Sequence, residues 1–71
     1  MELYTDGAAW YLVQAGERRG WRWHREGTDW IVERAGLPSS AVRGQVDEVP
    51  PDLQEELLAF AARSAAMGTQ A

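Results

Sequence analysis

The only histidine of the chain, His24, lies in the stretch GWRWHREGTDW between Gly20 and Trp30, among three tryptophans and two arginines. An imidazole beside a carboxylate is the least that general-base chemistry requires, and a hairpin closed on Glu26-Gly27 would set His24 opposite Asp29. A nucleophile is the missing part. The chain has no cysteine, and Ser39, Ser40 and Ser64 stand in no strand-to-helix elbow that would expose an activated hydroxyl. The adjacent pair Glu55-Glu56 does not form a carboxylate dyad, because neighbours on a helix point in different directions, and loop solvation accounts for Asp47-Glu48. One histidine and no cysteine rule out a histidine- or thiolate-based metal site, and no glycine-rich phosphate loop, EF-hand or zinc spacing is present. The expectation is therefore a protein with no catalytic residue, metal or cofactor, and not an enzyme.

Binding chemistry is the alternative. All seven basic residues are arginine, against eleven acidic ones, for a net charge of −4. Nucleic-acid binders concentrate positive charge, whereas acids stay slightly in excess here even over residues 1–34. Arg18 and Arg19 in a first hairpin loop, with Arg22 and Arg25 on the strand that follows, form the candidate nucleic-acid contact. Three strands carrying Arg and Trp, packed on one helix, resemble in general layout the sheet-reading DNA-binding domains of plants. The likeness lies in layout, with no motif residue matched, and it implies a small regulator reading nucleic acid through those four arginines. Asp29 and Glu33 on the same face would repel phosphates, so we expect nucleic acid to be the less favoured partner.

These side chains must be held by a very small fold. Seventy-one residues without cysteine allow one domain, 1–71, and no disulfide; such a chain buries only about 60% of its unfolded surface. Four tryptophans could remove roughly 600–1,000 Å² from water, so most of them should be core. Glycines at 7, 16, 20, 27 and 36 separate stretches rich in Trp, Tyr, Ile and Val, the pattern of strands and turns. The pattern predicts strands at 8–14, 21–25 and 28–34, an antiparallel meander because the connections are short. Burial selects a register that sets Trp23 opposite Trp30 and Trp21 opposite Val32. One face then carries Trp21, Trp23, Trp30 and Val32, and the other Arg22, His24, Asp29, Ile31 and Glu33.

Residues 35–51 read as a wrapping loop, with Val42, Val46 and Val49 as its anchors and room for a helical turn or a short extra strand. DLQEELLAFAARSAAMG predicts a helix over 52–67, with Asp52 as N-cap, Glu55 completing a capping box and Gly68 as the stop. Leu53, Leu57, Phe60, Ala61, Ser64 and Met67 share one stripe, which should cover the tryptophan face; Leu58 falls outside it beside Ala62 and Ala65. The fold class is α+β, a three-stranded meander backed by one C-terminal helix.

AWYLVQA is apolar at both parities, with Trp10 and Leu12 on one side and Tyr11 and Val13 on the other. One helix covers one face only, so the second needs the 37–50 segment or another protein. We expect a non-enzymatic protein-binding or regulatory module whose contact surface is the outer sheet face around Tyr11, Val13, Arg22, His24 and Ile31. Its partner would be another protein or a second copy in a homodimer. The absence of lysine suggests a GC-rich, bacterial coding sequence. With no apolar run of about 20 residues and an acidic start, MELYTDGAAW, the expected location is the cytoplasm and no membrane is expected as a partner.

Overall fold

The period-two pattern of the first half builds more sheet than expected. The computed structural model describes the backbone of residues 1–68 and the side chains of residues 1–63. It contains strands β1 (Glu2–Thr5), β2 (Trp10–Val13), β3 (Arg19–Glu26), β4 (Asp29–Gly36) and β5 (Val42–Arg43). A 3₁₀ turn, Val46–Glu48, and helix α1, Pro51–Gly68, follow. The α+β class holds, but the sheet has five antiparallel strands in the order β4-β3-β2-β1-β5, not three. β1 was not foreseen. It pairs with β2 through Leu3↔Leu12 and Tyr4↔Tyr11, and buries Leu3. The 35–51 segment is no plain loop, since Val42 and Arg43 pair with Thr5 and Tyr4 as β5.

Turn chemistry explains the hairpins. Between β1 and β2 the Asp6 carboxylate accepts the amides of Ala8 and Ala9 at 3.0 and 2.9 Å and the Tyr11 hydroxyl at 3.0 Å. These donors stabilise the ionised form and hold the Asp6 carboxyl below the ordinary aspartate range, the Ala9 amide contributing most. The β3–β4 loop is Gly27-Thr28, with Glu26 opposite Asp29, not Glu26-Gly27. Gly27 at φ +65 is then the only residue of the loop in the left-handed region, as a II′ turn requires, whereas a glycine in second place would have forced Glu26 there. Trp23 accordingly faces Val32 and Trp21 faces Arg34. The slip is two residues, so every side chain keeps its expected face.

The helix begins one residue before Asp52. Pro51 opens it, where a missing N–H costs nothing, and the Pro50 carbonyl accepts from Leu53 and Gln54 at 3.0 and 2.9 Å. Asp52 thus lies inside the first turn, where its charge suits the helix dipole. The reciprocal capping box predicted for Glu55 occurs instead around the 3₁₀ turn, between Gln45 and Glu48. Leu53 and Leu57 are buried with Leu3, Leu12, Trp23 and Val49, so the helix covers the tryptophan face as expected; Ser64 and Met67 lie outside the described side chains. Of the loop valines only Val49 is an anchor, while Val42 and Val46 are exposed. Of the four tryptophans only Trp23 is fully buried. Trp10, Trp21 and Trp30 are half-buried against the cluster, and Phe60 presses edge-on against Trp21 and Trp23 at 5.2 and 5.1 Å between ring centres. Among the described residues no helix is long and apolar enough to cross a membrane.

β4 and β5 occupy opposite edges, so residues 37–41 must cross the sheet. They leave from Gly36, which pairs with Arg19, and arrive at Val42, which pairs with Thr5. On a flat sheet that diagonal is about 23 Å, whereas the six steps from 36 to 42 reach roughly 20–22 Å fully extended. A turn from Pro38 to Ala41, closed at 3.1 Å, shortens them further. The sheet is therefore not flat along this diagonal. Leu37, Pro38 and Ala41 of this segment are half-buried, and on the sheet face away from α1 Tyr11 and Val13 are only 5% and 2% exposed.

Candidate interaction surface

Burial redraws the contact surface expected on the outer face. Tyr11 and Val13, its intended centre, are enclosed within the chain and present nothing to a partner. Val13 lies against Gly20, where a Cβ would come within 2.8 Å of the valine Cγ1. Of the five expected contact residues, Arg22 and His24 are half-buried and Ile31 is exposed.

His24 faces Ile31 across the hairpin and not Asp29, as the two-residue slip requires. Arg22 Nη1 lies 3.0 Å from His24 Nδ1 and donates to Glu33 Oε1 at 3.1 Å. His24 Nε2 lies 3.4 Å from Glu26 Oε2. Because a guanidinium can only donate, Nδ1 is the acceptor and the ring proton sits on Nε2, toward Glu26. The row Glu33, Arg22, His24, Glu26 is a chain of polar contacts on the sheet that contains one ion pair, Arg22–Glu33, and no hydroxyl nucleophile. Among the described residues no three carboxylate or imidazole side chains converge to hold a metal ion.

The four arginines proposed for nucleic acid do not share a surface. Arg22 points to the outer face and Arg25 to the tryptophan face, because they stand three residues apart on β3 and an odd spacing changes face. Arg25 lies 4.3 Å over the Trp30 ring and bonds Asp52 at 3.2 Å. Arg18 and Arg19 are exposed at the far end of β3. Elsewhere Arg34 covers Trp21 at 4.8 Å, and Arg43 reaches Glu2 at 3.7 Å.

One partly apolar surface was not singled out as such by sequence reasoning, the edge of the sheet along β4. β4 is a free edge of the sheet along residues 29–36, with Ile31 38% and Val32 44% exposed, one on each face. On the helix side it borders a cavity of about 320 Å³ lined by Trp23, Trp30, Val32, Glu56, Ala59, Phe60 and Arg63. The rim at Trp30 is tied to the start of α1. Its indole N–H donates to Asp52 at 2.9 Å, and that bond is the main cause holding the Asp52 carboxyl below its ordinary range, with Arg25 adding to it. The arrangement offers unpaired backbone N–H and C=O groups beside an aromatic groove. The signal in the sequence was Ile31-Val32, apolar at both parities on the last long strand of a meander. Comparison with protein families, with curated proteins and with solved structures finds no match for this chain.

Proposed function

We propose that the chain is a small non-enzymatic protein-interaction module that binds through the β4 edge and the groove beside it. The observation that carries this is the free edge itself. A long edge strand with exposed apolar residues on both faces is a template for strand addition: backbone groups provide affinity, and alternate side chains entering a neighbouring groove provide selectivity. Ile31, the one expected contact residue that remains well exposed, lies on this edge; Arg22 and His24 support it from the adjoining strand.

A selection of displayed random peptides against the immobilised chain tests this. Extended peptides should be recovered that bind wild type at least tenfold more tightly than Val32→Lys, a loss of about 1.4 kcal/mol. Binders indifferent to the substitution, or none at all, would sink the proposal. The nucleic-acid reading is less well supported, since net charge is negative and Arg22 and Arg25 point to opposite faces. Sub-micromolar, steeply salt-dependent association with duplex DNA, lost in Arg18→Glu with Arg22→Glu, would reverse that order.

A further inference from the structure

We infer that the occupant of the β4 edge is a second copy of the chain, joined antiparallel about a two-fold axis through Val32 so that the two sheets continue as one. This rests on the interaction function proposed above and names its partner.

The argument is one of register. A two-fold axis normal to the sheet keeps the tryptophan face of one copy level with that of the other, so opposed residues must have the same parity. Within β4, Asp29–Gly36, few such registers overlap substantially, and charge decides among them. An axis at Ile31 sets Asp29 opposite Glu33 of the second copy, twice. An axis at Glu33 or Arg34 opposes each charge to itself. Like charges directly opposed are destabilising. An axis at Val32 opposes no like charges: Val32 meets its own mate, Ile31 meets Glu33, Trp30 meets Arg34 and Asp29 meets Ala35.

The pairs in that register also suit their surroundings. Arg34 already uses an indole within its own chain, covering Trp21 at 4.8 Å. The symmetric register brings the second copy's Arg34 beside Trp30, next to Glu56 in the groove, so a cation meets an aromatic ring and a carboxylate. Glu33, which lies beside Ile31 of the second copy, is already balanced by Arg22 at 3.1 Å. Exposed Val32 and Ile31 then occupy the centre, with the charged positions flanking them. The opposite edge offers nothing comparable, because β5 has two residues.

Cysteine scanning tests the register directly, since the chain has no cysteine of its own. Directly opposed strand residues have Cα atoms about 4.5–5.5 Å apart, within disulfide reach of about 4.4–6.8 Å. Under mild oxidation Val32→Cys should form a covalent dimer, Ile31→Cys and Glu33→Cys should not when alone, and their mixture should. In sedimentation experiments wild type should double its mass as concentration rises through the micromolar range. Val32→Lys should stay at the monomer mass with an unchanged circular dichroism spectrum. If that variant unfolds, the cysteine pattern still decides. A wild-type chain that remains monomeric at hundreds of micromolar overturns the proposal, as does crosslinking of Ile31→Cys alone at the rate of Val32→Cys. If such a monomer still binds selected peptides in a Val32-dependent way, the interaction function stands and only the partner was misassigned; if it binds none, both fall.

Discussion

Gly20→Ala tests the closest approach in the sheet. A glycine in a strand ordinarily weakens it, and replacement by alanine at an unhindered site stabilises by about 0.4–1 kcal/mol through the unfolded chain. Gly20 is not unhindered. A Cβ there would stand 2.2 Å from the Leu12 carbonyl oxygen, 2.8 Å from Val13 Cγ1 and 3.0 Å from Val13 Cα. The first atom is backbone held by the β2–β3 ladder and the second belongs to a side chain 2% exposed, so neither yields cheaply. Relief requires β2 and β3 to part by about 1 Å near Leu12↔Trp21, with an overpacking cost of about 1–3 kcal/mol and about 1 kcal/mol for a weakened ladder bond. Net of the entropic gain, the expected loss is about 2 kcal/mol. A domain of this size has only about 4–10 kcal/mol in all, and Tm should drop by roughly 10 °C. Gly36→Ala is the control. It lies in the neighbouring strand with nothing within 4 Å of its Cβ, and should be neutral or slightly stabilised. Urea melts followed by tryptophan fluorescence and circular dichroism measure both. A Gly20→Ala chain as stable as wild type would refute the β2–β3 packing described above.

Trp23→Ala removes the one fully buried indole and its edge contact with Phe60, and should cost about 3–5 kcal/mol in the same melts. Val13→Glu, which on an exposed sheet face would have split a dimer and left the fold intact, instead places a charge at a position 2% exposed; it should lose native circular dichroism at every concentration. Asp6 has its carboxyl held down by the Ala9 and Ala8 amides and by Tyr11, so it contributes stability above the ordinary aspartate value that disappears as pH falls through the lower folded value. Melting temperatures between pH 6 and pH 3 should decline below about pH 4, and the decline should be shallower in Asp6→Asn.

What was legible in the sequence was parity. Trp21, Trp23, Trp30 and Val32 fell on one face because a strand repeats every two residues, and the register error of the β3–β4 hairpin was itself two residues, which parity cannot detect. The helix was legible to within one residue because Asp52, Leu53 and Leu57 are local signals, although Pro51 displaced Asp52 from the cap. Non-local pairing was not legible. Glu2–Thr5 becomes a strand only because the Asp6 turn folds it back onto β2, and Val42–Arg43 only because β1 then presents an edge at Tyr4 and Thr5. The two apolar parities of Trp10–Val13 correctly demanded a second cover, but the choice between a loop and a partner depends on how the chain runs between the two edges of the whole sheet. Tyr11 and Val13 are buried within the chain itself. The unfilled demand then moves to β4, the strand that the crossing segment leaves behind, where Ile31 and Val32 repeat at the edge the two-parity pattern seen first in the centre.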